Sequence, residues 1–423
     1  MNNKFRIISK LFSALLAVAL VGCTSDDGPS IDDYFLNYEI PTITTASDIP
    51  VGAFYYQTNW SSNDVTLERY DRLVGERNLA ATPWAQICPN VRPVLGRYDN
   101  SAGSISKTET VNLIQQHLNW ANEGGIDFLI LPSIASVPST PPYMHGAHMG
   151  FVEFMSGKNP LSENKLNWGR LKYVLSVDLN NFTSGVNNTN MIEDSEVDGE
   201  GVSQRIETVL NYFRSVANRF FVDNKLYYKV NGKPMMFLYN ADRVYSKDSR
   251  AFYQKIRDAV REECGMDIYL VARQNGWTPS ARFHYTFMSG HVDAVYMNNM
   301  YRQNDMTRSY MYPQYINENF KYNRTYCWDN YQVDFIPAIA PSFNMWLEGD
   351  GTQYYDYPFV DKDPVKFRTM CNVAKMNLGQ QPMVLIDSFN NWSSDMALEP
   401  TDPDYGNGYG MTYLDIVREE FKK

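Results

Sequence analysis

The chain has 423 residues, of which 44% are hydrophobic, 20% charged and 14% aromatic, and its 38 basic against 48 acidic residues give a formal charge of −10. That much apolar material excludes a disordered chain, and the acidic balance argues against nucleic acid as a partner. At ~150 residues per domain the length admits two or three domains, or one long α/β barrel.

Residues 1–22 read as an export signal. Lys4, Arg6 and Lys10 form a basic start, and the apolar run from Leu11 to Val21 is too short to span a bilayer. Leu20-Val21-Gly22-Cys23 resembles the lipobox of bacterial lipoproteins, which implies cleavage before Cys23 and acylation of its thiol. Residues 23–48 read as a polar tether, and Asp26-Asp27 within it resembles sorting signals for the outer face of the outer membrane. The expected location is therefore the bacterial outer membrane, lipid-anchored and facing the exterior. Loss of residues 1–22 removes three cations and no acid, which takes the formal charge from −10 to −13. Cys88, Cys264, Cys327 and Cys371 remain in a compartment that permits disulfides; three pairings are open, and no two have CxxC spacing. Cys371, among Phe367, Met370 and Ala374, reads as a buried thiol.

From residue 49 onward, apolar runs at 51–56, 126–131, 171–177, 234–239, 268–272, 292–296, 335–340 and 383–387 alternate with helical patterns. Runs without two-residue alternation suit parallel strands covered on both faces. A helix is expected at 108–123, with Ser106 and Glu109 as a capping box, Val111, Ile114, Leu118 and Ala121 on one face and Gly124-Gly125 at its end. Asn231-Gly232 reads as a hairpin turn, 180–201 as an exposed acidic loop, Asp363-Pro364 as a helix start and Leu414, Val417 and Phe421 as a closing helix. Eight strand–helix units favour a single (β/α)8 TIM-type barrel with loop decorations over residues 49–423; a doubly wound sheet is the alternative.

In such a barrel the groups that bind or react stand at the C-terminal ends of the strands. Those positions are Tyr55, Tyr56 and Gln57; Ser133; Asp178 and Asn180; Tyr239 and Asn240; Arg273, Gln274 and Asn275; Asn298 and Asn299; Asn344, Trp346 and Glu348; Asp387, Asn390, Asn391 and Trp392. Amides match vicinal hydroxyls with a donor and an acceptor, and tyrosine and tryptophan can stack on a sugar's C–H face. Both residue types also serve turns and cores, so the reading as a carbohydrate site depends on the barrel. Asp194-x-Glu196-x-Asp198-Gly199 partly fits a calcium loop, but its twelfth position is Arg205, so it reads as a solvated charge run. His145 and His148 have no third ligand nearby and read as loop histidines. No metal or cofactor is expected.

Val51-Gly-Ala-Phe-Tyr-Tyr56, Pro93-Val-Leu-Gly-Arg-Tyr98, Gly125-Ile-Asp-Phe-Leu-Ile-Leu131, Lys229-Val-Asn-Gly-Lys-Pro234 and Ser388-Phe-Asn-Asn-Trp-Ser-Ser-Asp-Met-Ala-Leu-Glu-Pro400 resemble, in order, segments of glycoside hydrolase family 99, the endo-α-mannosidases, and their WbsX-type relatives. The resemblance spans roughly residues 50–420 and implies a (β/α)8 fold and a glycan ligand. The family's closing motif carries two glutamates as general base and general acid; here those positions are Asn391 and Ser394, and the following glycine is Asp395. Neither an amide nor a hydroxyl can replace a carboxyl group in glycoside hydrolysis at neutral pH, so the family's usual chemistry is expected to be absent. Trp392, Glu399 and Pro400 keep the pattern.

Ser342-Phe-Asn-Met-Trp-Leu-Glu-Gly349 echoes the motif and places Glu348 at the second-glutamate spacing, with Met345 at the first. Two principal readings follow. One is a surface lipoprotein that recognises a glycan through Tyr55, Tyr56, Trp346, Asn390, Asn391, Trp392 and Glu399. The other is an endo-acting glycoside hydrolase with relocated carboxylates among Glu348, Asp387 and Asp178. A glycosyltransferase is the third, and no nucleotide-sugar motif is evident for it.

Overall fold

The computed structural model describes residues 38–57, 91–96, 98–134, 147–158, 166–195, 197, 199, 201–276, 279–297, 312–344, 359–392 and 394–423. Residues Ile40–Lys423 form one compact unit. Within it, parallel strands follow the order β8 (Asp334–Ile336), β7 (Ala294–Tyr296), β6 (Tyr269–Arg273), β5 (Lys233–Tyr239), β3 (Lys172–Asp178), β2 (Phe128–Ile130), β1 (Val51–Phe54), β12 (Val384–Ile386) and β9 (Ala338–Ile339). Two further strands, β10 (Phe343–Asn344) and β11 (Phe359–Val360), form a separate antiparallel pair. Only Pro337 separates β8 from β9. Because proline lacks an N–H, one strand is split there, and its first half pairs with β7 while its second pairs with β12. The ring therefore closes as a (β/α)8 barrel, and the expected strands stand where the apolar runs place them.

The helices between strands are α1 (Thr108–Glu123), α2 (Ala147–Met155), α3 (Gln204–Val216), α4 (Ser249–Cys264), α5 (Tyr312–Tyr331), α6 (Pro364–Met376) and, after β12, α7 (Thr412–Phe421). One crossover departs from the pattern: β6 reaches β7 through a short turn, Ala281–Phe283 followed by a π-turn at His284–Met288. Asp363 caps α6, accepting from Val365 N at 2.7 Å and Lys366 N at 3.0 Å, with Pro364 in the first turn where a missing N–H costs nothing. The capping box expected for α1 does not form. Lys107 is the N-cap, without a side-chain bond. The Asn231-Gly232 hairpin is present between β4 (Lys229–Val230) and β5, both turn residues having positive φ, 50° and 83°.

The two faces of the strands fill two cores. Phe54, Phe128, Ile130, Val174, Phe237, Val271, Tyr296 and Leu385 point into the barrel, whereas Val51, Ala53, Leu129, Val295 and Ile386 pack under the helices. Inside, Phe54 and Tyr296 stack at 5.6 Å, and Phe237 meets Tyr296 edge-on at 5.2 Å, so rings from β1, β5 and β7 touch across the barrel. Gly52 makes room for this packing: a Cβ there would stand 2.2 Å from the Phe128 ring.

Three expectations need correcting. The segment expected as a tether to residue 48 includes docked chain: Ile43 N donates to Asn372 Oδ1 of α6 at 2.7 Å, and Thr45 Oγ1 donates to Glu420 O of α7 at 2.5 Å. The acidic stretch is not simply solvated. Ile192 is buried, Glu193 accepts from Ser246 Oγ and from Lys247 N at 3.0 Å, and Asp194 pairs with Lys247, so the loop after β3 is fastened to the loop after β5. His148 stands in α2 rather than in a loop. Cys327 and Cys371 are buried free thiols, as expected of Cys371, and Cys264 is also free. Among the described residues no helix is long and apolar enough to cross a membrane.

Candidate functional site

Side chains alternate along a strand, so the inward file of each strand continues to the C-terminal mouth. Phe54 is followed by Tyr56, Phe237 by Tyr239, Val271 by Arg273, Ala294 by Tyr296 and Leu385 by Asp387. These five ends converge. Burial, and next the charge of Asp387, push the Tyr56 hydroxyl well above the ordinary tyrosine range; Tyr239 and a hydrogen bond to Asp387 add to this and Arg273 opposes it. Burial also raises Tyr296 well above that range, with Tyr239, Arg273 and Asp387 as its charged or polar neighbours. Tyr239 is pushed up to about 12 by burial, partly offset by Arg273, whose guanidinium carbon lies 4.9 Å over the Tyr239 ring centroid. The mouth thus holds three neutral phenols, the carboxyl groups of Asp387 and Asp178, and one cation stacked on an aromatic face, with Tyr296 and Asp387 buried at its floor. Phenols donate, carboxyl groups accept and rings stack, which is the complement of a polyhydroxylated ring.

Asp178 ends β3 on the inward file, partly exposed, and its Oδ1 accepts from Asn180 N at 2.9 Å and Asn240 Nδ2 at 2.7 Å. Gln274 is instead structural, donating to Asn323 Oδ1 at 2.7 Å beneath the surface.

Behind the mouth lies a buried network on the outward face of β1. The Tyr55 hydroxyl is 2.8 Å from His117 Nδ1 and accepts from Asn100 Nδ2 at 3.2 Å. His117 Nε2 lies 3.2 Å from Glu399 Oε1, while Glu399 Oε2 accepts from Tyr98 Oη at 2.6 Å and Trp392 Nε1 at 2.8 Å. His117 and Glu399 are wholly buried, and Tyr55 and Trp392 are each 2% exposed. Tyr55, Trp392 and Glu399, expected at a sugar contact, therefore stand behind it, because the residue after inward-facing Phe54 must face outward.

Asn390, also expected at the contact, clamps the backbone. Its Oδ1 accepts from Tyr56 N at 2.8 Å and its Nδ2 donates to Tyr56 O at 2.9 Å; Asn100 Nδ2 reaches the same carbonyl at 2.9 Å. The clamp continues β1 by side-chain means past the last ladder bond and aims the Tyr56 ring into the mouth. Tyr98, Asn100, His117 and Tyr296 were not among the expected site residues. For His117 a signal existed, since a histidine among Ile114, Leu118 and Ala121 interrupts the apolar face of α1.

The closing turn is held together by its own side chains. Asn391 N donates to Ser388 Oγ at 2.6 Å, its Oδ1 accepts from Ser394 N at 3.3 Å, and Ser394 is 3% exposed. Asp395 has a left-handed backbone with φ 54°, a conformation that favours glycine. Its carboxylate is 1% exposed and pairs with Lys362 Nζ at 3.3 Å, and Lys362 also donates to Ala397 O at 3.0 Å and faces the Tyr409 ring at 5.0 Å. Burial raises the Asp395 carboxyl, which Lys362 opposes, and burial lowers the Lys362 ammonium, which Asp395 opposes. Trp346, Glu348, Asn298, Asn299, His145, Cys23 and Cys88 lie outside the described residues. Among the described residues no group of three His, Cys, Asp or Glu side chains is placed to hold a metal ion.

Comparison with solved structures agrees with this architecture. A structure described as a glycoside hydrolase-like protein is 26% identical, with a TM-score of 0.68, and the alignment covers 93% of this chain and 99% of that one. The GH99 endo-α-mannosidase from Bacteroides thetaiotaomicron is 14% identical with a TM-score of 0.51, over 89% of this chain and 96% of that one, and its complex with BIS-TRIS-propane gives 15% and 0.52. The latter likeness is one of fold. No curated protein matches the chain. The family model described as glycosyltransferase WbsX matches residues 202–417, just over half of the sequence and running from α3 through β12 into α7, so the chain belongs to that family and carries its site on a GH99-like barrel.

Proposed function

We propose that the protein is a lipid-anchored surface protein that recognises a glycan at the barrel mouth without hydrolysing it. What supports this reading is the closing turn: the positions that the resemblance matches to the family's two glutamates are Asn391, an amide that caps the turn, and Ser394, a buried hydroxyl, and neither can hold or deliver a proton at neutral pH. The five converging strand ends supply the recognition surface, with Tyr239 and Arg273 as the stacked pair and Asp387 as the acceptor. The family's name and the mannosidase description of its structural relatives both point to sugars as the ligand class. The anchor rests on the Leu20–Cys23 pattern; labelled palmitate should enter the wild type and not Cys23→Ser.

A second reading keeps catalysis. Asp178 and Asp387 both end inward files of the barrel, and a carboxylate pair at a mouth is the minimal equipment of a glycoside hydrolase. Titration calorimetry with an oligosaccharide panel, followed by product chromatography, separates the two. Recognition requires saturable binding that Tyr239→Ala weakens, with every sugar recovered intact; cleavage that Asp387→Asn abolishes would replace this reading with the second.

A further inference from the structure

Tyr285, in the π-turn between β6 and β7, is 68% exposed, although the residues around it, Thr286 to Met288, are buried. Its backbone is fixed, since its carbonyl accepts from Ser249 Oγ at 2.6 Å at the start of α4. The ring borders a groove of about 590 Å³ whose other walls come from the loops after β3 and β5. Tyr245 lies in the same groove, and Asn188, Ser246, Arg250 and Ser289 line it with polar groups. The walls are braced: Ile192 N donates to Tyr245 O at 2.9 Å, Ser246 bonds Glu193, and Lys247 pairs with Asp194.

One piece of chain links the groove to the mouth. Tyr239 serves the mouth and Tyr245, six positions on, serves the groove. Between them the left-handed Asn240 donates to Asp178, and the turn Ala241–Arg243 is held by an ion pair from Asp242 to Arg282 at 2.6 Å. Loops after strands lie on the face that carries the mouth. The chemistry suits a sugar: a tyrosine face is open to solvent for stacking on C–H groups, and the Asn188 amide, the Ser289 hydroxyl and the Arg250 guanidinium stand around it for ring hydroxyls.

We infer that this groove is a second glycan subsite, which takes one sugar ring of a chain whose other residues occupy the barrel mouth. The inference rests on the glycan reading of the mouth and adds to it a length requirement. Long chains bridge mouth and groove and gain affinity from both, whereas short oligosaccharides occupy the mouth alone.

Affinity electrophoresis of the full chain without its first 22 residues, in gels containing yeast α-mannan, a β-mannan or a xylan, tests this together with calorimetry on the matching tetrasaccharides. In the gel that retards the wild type, Tyr285→Ala should weaken binding by about threefold to tenfold, with Tyr285→Phe unchanged, since the stacking face is what is lost. Tetrasaccharide affinity should be the same in wild type and Tyr285→Ala. Equal retardation of wild type and Tyr285→Ala overturns the second subsite and leaves the mouth reading standing. Equal losses on polymer and tetrasaccharide also overturn it, because the groove would then not be separate. A wild type retarded by none of the three and silent with every tetrasaccharide removes both readings.

Discussion

His117 on α1 and Glu399 beyond β12 meet with Nε2 3.2 Å from Oε1, both wholly buried, and through this contact the helix that follows β1 is tied to the turn that closes the barrel. Glu399 also accepts from Tyr98 and Trp392, so its carboxylate serves donors from three separate segments. Glu399→Gln removes acceptor capacity and introduces a donor facing donors. We expect a loss of about 1–3 kcal/mol, read from the urea midpoint. Trp392→Ala should cost about 3–5 kcal/mol as a core truncation, so any loss of glycan affinity in that variant comes with a lowered unfolding midpoint. An affinity loss at unchanged stability would contradict the burial of this network.

The clamp of Asn390 on Tyr56 gives a prediction that joins stability to binding. Asn390→Ala strips two hydrogen bonds from the Tyr56 backbone and should destabilise by about 1–3 kcal/mol. Because Tyr56 leans on Asp387 in the mouth, glycan affinity measured by calorimetry should fall as well, whereas Asn231→Ala in the distant hairpin should leave affinity unchanged.

The buried Lys362–Asp395 pair predicts a pH dependence. The Asp395 carboxyl is raised in the fold, so its contribution to stability is fully present below its unfolded pKa and lost as pH rises through the folded value. The Lys362 ammonium is lowered, so its contribution is present above its unfolded pKa and lost as pH falls through the folded value. Between the two folded values both groups are charged and both desolvation costs apply. Removing one partner alone, as in Lys362→Met, should cost about 3–5 kcal/mol, because a buried charge is left uncompensated. Lys362→Met combined with Asp395→Gly should be neutral or stabilising, with the left-handed backbone relieved. Melting temperatures from pH 3 to 10 should favour the double variant most at intermediate pH; a flat difference would refute the assignment.

Gly52→Ala tests the packing under the mouth. The new methyl would meet the Phe128 ring on the neighbouring strand. Overpacking of this kind costs about 1–3 kcal/mol, and Phe128→Leu in the same chain should restore part of it in a double-mutant cycle.

The barrel was legible because apolar runs, helix caps and the Asn231-Gly232 turn act over a few residues, and local patterns agreed with the global fold. The mouth was legible in part. Tyr56, Tyr239, Arg273 and Asp387 follow from strand ends alone, but end positions do not say which of two adjacent side chains faces inward, and so Tyr55 was expected beside Tyr56. At β7 the amides Asn298 and Asn299, two and three positions beyond the strand's end, stand out in the sequence more than the ring of Tyr296 that closes it. The network at Glu399 and the Lys362–Asp395 pair join segments far apart in the chain or across a turn. Nothing in sequence spacing announces such partners; only the closed ring brings them together.

Native mass spectrometry of the chain from Thr24 onward, incubated with α-mannosides and other oligosaccharides, distinguishes recognition from cleavage, since one spectrum reports complexes and products together. Intact protein–sugar complexes with every sugar at its starting mass are the predicted result. Shortened sugars would contradict recognition without cleavage, and the carboxylates of Asp387, Asp178 and Glu348 would then be the groups to substitute in turn.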